Sequence, residues 1–215
     1  VPGAQVFVVA EQTDANFFTP GCGKLSTGRP LIASAGLEQR DYLTLALATQ
    51  EKALDVKICA FSPNASPQQR RNMPNPVPAN MEIRYFDFVE LRNLYRSADI
   101  VVISLLQNNY SAGLTVLMEA IACSKPVIMT ENVGLTIDFV EKGLILDTKP
   151  GDVKALEEAI DYLLSNPEIA QQMAERAHSY FLSHHTSEHH VNQICSQLEK
   201  VSGLDRVHPV LLVSI

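Results

Sequence analysis

The chain has 215 residues, which suits one domain, or one domain with part of another. Hydrophobic residues make up 46% and charged residues 19%, a balance that excludes a disordered or fibrous chain. The net charge of −7 offers no basic stripe for a nucleic-acid backbone, so a phosphate ligand would have to meet local positive charge or a helix N-terminus.

The first strand-like run is Val6–Val9. Residues 10–30 hold Pro20, Gly21, Gly23, Gly28 and Pro30 and read as a linker. Six further runs read as strands: Leu31–Ser34, Val56–Phe61, Glu82–Phe86, Ile100–Ser104, Val127–Thr130 and Leu144–Leu146. They are short and mostly apolar on both faces, as strands buried on both sides of a parallel sheet are. Helical patterns lie between them, at Asp41–Lys52, Val89–Arg96 and Leu114–Cys123. Residues 62–80 carry five prolines with Arg70 and Arg71 and read as a long loop. Beyond Leu146, Asp152 is a plausible N-cap for a helix over Val153–Ser165. Asn166-Pro167 opens another helix to Ser183, and Thr186–Val201 reads as a third. The strand–helix alternation predicts an α/β fold with a doubly wound parallel sheet and right-handed crossovers.

The four cysteines, Cys22, Cys59, Cys123 and Cys195, are far apart and form no CxxC pair, so a reducing compartment is expected. No run approaches the roughly 18 apolar residues a membrane span needs. The start at Val1 reads as a piece of a longer protein.

Ligands of a doubly wound sheet bind beyond the carboxyl ends of its strands, which selects the loops 35–40, 86–88, 105–113 and 131–134. Gly36 permits a tight turn, and Arg40 stands where a helix begins, either as a diphosphate ligand or as a surface arginine. The small residues Ser111, Ala112 and Gly113 open the helix that carries Glu119 and leave backbone donors accessible to an anion. Glu119 stands among apolar neighbours, where a carboxylate needs a donor partner such as a ribose diol; the alternative is an exposed helix glutamate. His185 and His189, at metal-ligand spacing, read as a metal pair or as a solvated helix end. Gly21-Cys22-Gly23-Lys24 lacks the spacing of a phosphate loop.

Several ordered segments resemble one family. Gly113-Leu-Thr-Val-Leu-Met-Glu119-Ala-Ile-Ala-Cys-Ser-Lys-Pro126-Val-Ile is similar to the signature of retaining glycosyltransferases of the GT-B type, the group 1 or family 4 enzymes. Leu91-Arg-Asn-Leu-Tyr95-Arg-Ser-Ala-Asp99 resembles the segment before it, Gly36 to Arg40 a variant of the first phosphate loop, and Gly151-Asp152 and Asn166-Pro167-Glu168 the closing helices. The resemblance covers roughly residues 30–200 and implies a Rossmann-like, donor-binding C-terminal domain of a two-domain enzyme. It implies residues 1–29 as the end of an N-terminal domain and linker, 30–201 as the nucleotide-sugar domain, and 202–215 as a tail.

Carried over by position, Arg40 and Glu119 would be the catalytic pair, Arg40 on the diphosphate and Glu119 on the ribose. Gly36, Leu37, Ser111, Gly113, Leu114 and Thr115 would line the donor site, with the backbone near Phe86 and Phe88 against the base. The implied donor is a UDP- or GDP-linked sugar, with no separate cofactor and no metal. The implied acceptor is a saccharide or lipid-linked sugar of polysaccharide biosynthesis, met in the cytoplasm or at the inner membrane face. The missing N-terminal domain would be a partner, and the isolated domain would bind nucleotide weakly and transfer nothing. The family carries two glutamates eight positions apart, and Ser111 stands at the first; Leu37 stands where an arginine is usual. A non-catalytic nucleotide-sugar-binding module and a sugar-nucleotide 2-epimerase-like domain are the alternatives.

Overall fold

The structure, a computed structural model, describes residues 7–23, 28–60, 72–109, 111–131 and 136–202. Six strands form one parallel sheet: β1 (Leu31–Ala35), β2 (Asp55–Cys59), β3 (Met81–Arg84), β4 (Ile100–Ile103), β5 (Val127–Thr130) and β6 (Leu146–Thr148). Their order is β3-β2-β1-β4-β5-β6, with β1 against both β2 and β4. The chain therefore reverses its direction of travel across the sheet between β1 and β4. That is where a doubly wound sheet leaves a crevice.

The helices are α1 (Tyr42–Thr49), α2 (Phe88–Ser97), α3 (Leu114–Ala122), α4 (Thr136–Glu141), α5 (Val153–Ser165), α6 (Pro167–His184) and α7 (Ser187–Ser202). β1, β4 and β5 are buried along their whole length, as the runs of apolar residues required. One core layer holds Leu94, Leu117, Ile121 and Phe181, from α2, α3 and α6. The other holds Leu45, Ile160 and Met173, from α1, α5 and α6. α6 thus contributes to both layers.

The predicted strands are present with small shifts, apart from the first. Residues 7–9 are not a strand, and Val6 lies outside the described residues. Val8 is 96% exposed and no neighbouring strand pairs with it among the described residues, so the run has no ladder to join. β6 begins at Leu146, because the Leu144 amide is committed to the Phe139 carbonyl that closes α4. The linker expected at 10–30 is partly docked. Phe18 is buried in the core against Tyr95, and the Arg92 guanidinium lies 4.6 Å over the Phe17 ring. Thr13 bridges to Thr186, His185 donates to the Glu11 carbonyl and His190 to the Ala10 carbonyl.

All four cysteines are free thiols. No helix among the described residues is long and apolar enough to cross a membrane. Arg70, Arg71, Lys24 and the tail from 203 lie outside the described residues.

Candidate functional site

A cavity of about 430 Å³ opens beyond the carboxyl ends of β1 and β4. The loop after β1 supplies Gly36, Leu37, Glu38 and Arg40; the start of α3 supplies Ser111 to Val116 and, further along, Glu119. The sequence-predicted residues Gly36, Leu37, Arg40, Ser111, Gly113, Leu114, Thr115 and Glu119 all line it. Two predicted residues do not. Phe86 packs its ring into the core under the Arg84 guanidinium, and Phe88 is 71% exposed at the start of α2. The Phe86 carbonyl accepts from the thiol of Cys59, which lines the cavity.

The two loops are tied to each other. The Asp41 amide donates to the Ser104 carbonyl and the Leu106 amide to the Gln39 carbonyl, each at 2.9 Å. Asp41 also caps α1 by accepting from the Thr44 amide. Gly36 has φ +98, and a side chain there would meet the Arg40 guanidinium. Arg40 is not a surface arginine: it is 6% exposed and folds back into its own loop. Its Nε donates to the Ala35 carbonyl at 2.7 Å and one terminal nitrogen to the Glu38 carbonyl at 2.9 Å. Arginine carries five N–H donors, so this bracing leaves further donors and the full charge beside the cavity.

Gly113 caps α3 with φ +87, packed so closely on Ile103 and Met129 that only hydrogen fits. The first α3 amide engaged in the helix ladder is that of Leu117, which donates to the Gly113 carbonyl. The amides of Leu114, Thr115 and Val116 therefore face the cavity end of the helix without helical partners, and the helix dipole adds a partial positive charge there. Glu119 lies five residues further on, about 7.5 Å along the axis, and helical side chains lean toward the N-terminus. Its carboxylate thus shares one cavity with the amides.

Glu119 is 7% exposed, which removes the exposed-glutamate alternative. Burial pushes its pKa up to about 7, against the opposing pull of the Tyr95 hydroxyl and the Arg40 charge. Tyr95 Oη donates to Glu119 Oε2 at 2.9 Å. Sequence reasoning missed this partner. The signal was available: a tyrosine on the buried face of an amphipathic helix needs a mate for its hydroxyl.

A second cavity, of about 490 Å³, lies at the opposite, amino edge of the sheet, lined by Asp99, Lys125 and the side of α6. It lacks the α3 amides and the switch-point loops, so size does not make it the better site. No group of three or more metal-ligating side chains occurs among the described residues. His185 and His189 are engaged separately, with Glu11 and Thr186.

A six-stranded doubly wound sheet with a crevice at its switch point and a free helix N-terminus defines a Rossmann-like domain of the kind that holds nucleotide ligands. Residues 78–180 match the sequence model of the family described as "Glycosyl transferases group 1". Comparison with curated proteins finds no match. Among solved structures, the chain is similar to sucrose-phosphate synthase of Thermosynechococcus elongatus, with a TM-score of 0.79 and 19% identity, covering 94% of this chain and 54% of that one. It is similar to HepE of Anabaena in complex with UDP and glucose, with a TM-score of 0.69 and 16% identity, covering 90% of this chain and 56% of that one. The C-terminal domain of the group 1 glycosyl transferase LpcC of Francisella tularensis gives a TM-score of 0.60 at 17% identity, covering 80% of this chain and 97% of that one. The chain therefore spans about half the length of the full glycosyltransferases it resembles, and their fold is the GT-B one.

Proposed function

We propose that this chain is the donor-binding domain of a retaining glycosyltransferase that moves a hexose from a UDP- or GDP-linked donor to a saccharide or lipid-linked acceptor. The observation that carries this reading is the single cavity shared by the α3 amides, the Arg40 loop and Glu119. In it, the diphosphate meets the α3 N-terminus and the Arg40 charge, and the ribose diol donates to Glu119. In transfer, the bond from the anomeric carbon to the diphosphate oxygen breaks, the acceptor hydroxyl oxygen bonds to that carbon, and the hydroxyl proton passes to the departing diphosphate oxygen. The diphosphate leaves with the electron pair, and donors already aimed at it stabilise the charge that develops.

The acceptor side belongs to an N-terminal domain, so the chain alone binds nucleotide weakly and transfers nothing. It works in the cytoplasm, against acceptors at the inner membrane face. The complex of HepE with UDP and glucose supports UDP as the first probe.

The test is calorimetry of UDP, GDP and ADP against the chain, with Glu119→Ala as control. UDP or GDP should bind with the highest affinity, and the substitution should weaken that binding by about 1–3 kcal/mol. Equal affinity in a folded Glu119→Ala would remove Glu119 from the site. A second reading, a non-catalytic binding module, is favoured by Ser111 at the position of the family's first glutamate. Sugar transfer after an N-terminal domain is supplied separates the two.

A further inference from the structure

Glu119 has two oxygens, and the fold treats them differently. Oε2 accepts from the Tyr95 hydroxyl, while Oε1 accepts no hydrogen bond among the described residues. Tyr95 itself is fully buried, with no measurable surface, and its hydroxyl meets nothing else. The pair joins two elements: Tyr95 stands in the last two turns of α2, Glu119 in the middle of α3. A phenol placed that deep, with its one polar atom on the carboxylate, restricts how the carboxylate can turn.

Resting on the nucleotide reading above, we propose that Tyr95 is a positioning residue for donor binding: it occupies one oxygen of Glu119, fixes the carboxylate plane, and leaves the other oxygen for the ligand diol. The same bond favours the ionised carboxylate, because the phenol donates to the charged form. An ionised Oε1 accepts from the diol; a protonated one would offer a competing donor. Nucleotide affinity therefore depends on the charge of Glu119, and Tyr95 helps to set it.

The groups facing Glu119 come from every element packed around it. Arg40, from the loop after β1, favours the charged form. Cys59 of β2 and Cys123, after α3, lie near enough to feel the carboxylate, and burial pushes both thiols up, so both stay neutral through the range that matters. Burial and the Glu119 charge also hold the Tyr95 phenol well above the usual range, so it remains a donor. Tyr95 is thus the neutral donor among these neighbours, and Arg40 the cation.

The experiment measures UDP affinity from pH 5.5 to 8.5 for the 215-residue chain and for Tyr95→Phe, with thermal melting of each. The wild type should bind more tightly as pH rises through about 7. The terminal phosphate of UDP titrates near pH 6 in both proteins and cancels in the comparison. In Tyr95→Phe the midpoint should move up by about one pH unit, and binding at pH 7 should weaken roughly fivefold. A lower melting temperature with an unchanged midpoint would reduce Tyr95 to a packing residue and overturn the proposal. If Tyr95→Phe does not fold, ring-labelled tyrosine NMR on the wild type decides. The Tyr95 resonance should titrate with the midpoint of UDP binding and shift when UDP is added; silence in both would sink the idea. A wild type that binds none of UDP, GDP or ADP would overturn the nucleotide reading itself, and this proposal with it.

Discussion

Gly113 shows how a single residue places the site. Its φ of +87 lies in the left-handed region, and an added Cβ would stand 2.9 Å from Ile103 Cγ2 and 3.1 Å from Met129 Cε. Both neighbours belong to buried central strands, β4 and β5, and cannot withdraw cheaply. Gly113→Ala should therefore destabilise the fold by about 2–4 kcal/mol, from left-handed strain and overpacking together, as read by urea denaturation. Wild-type stability would mean that the α3 N-terminus does not need this close approach.

At the scale of the element, α2 connects stability to the site. It opens with a reciprocal capping box: the Glu90 amide donates to the Asp87 carboxylate and the Asp87 amide to the Glu90 carboxylate. Its buried face carries Leu91 to the cavity wall and Tyr95 to Glu119. Asp87→Ala should cost about 1 kcal/mol of stability in urea denaturation. Nucleotide affinity should stay nearly unchanged, because Tyr95 lies two turns further in and is held by burial. A large loss of affinity would show that the start of α2 itself touches the ligand. The docked N-terminal segment depends on the same helix from its other side, through Arg92 over Phe17 and Arg96 donating to the Thr19 carbonyl.

For the whole molecule, the buried charge at Glu119 predicts a pH dependence of stability. Its pKa in the fold, about 7, lies above the ordinary value of 4.5. Between these values the folded chain holds a proton that the unfolded chain has lost. The protonated form therefore contributes stability that is complete below pH 4.5 and is lost as pH rises through about 7. The loss is at most on the order of 3 kcal/mol. Measured against Glu119→Gln, which does not titrate, wild-type stability should fall across that window and then level off; parallel curves would show that Glu119 ionises normally. Nucleotide binding should restore part of the loss, since it favours the charged form.

Much of this was written in the order of residues. Apolar runs over Leu31–Ala35, Ile100–Ile103 and Val127–Thr130 can only be buried on both faces, and strands alternating with helices lead to a doubly wound parallel sheet. The loops beyond the strand ends then follow from topology, and Gly36, Arg40, Ser111, Gly113 and Glu119, singled out there or on the helix that follows, line one cavity. The six-residue α4 was not, because so short a helix leaves too little periodicity.

Pairing across elements belonged to the tertiary structure. Only the packing of α2 on α3 shows that Tyr95, 24 positions before Glu119, supplies its buried partner. Only the fold of the 36–40 loop shows Arg40 bracing two carbonyls rather than extending into solvent. Only docking shows Phe18 in the core of a segment that reads as a linker. Local pattern records which residues must be buried or must bend the chain. Which buried groups satisfy each other depends on distances between elements, and the fold alone sets those.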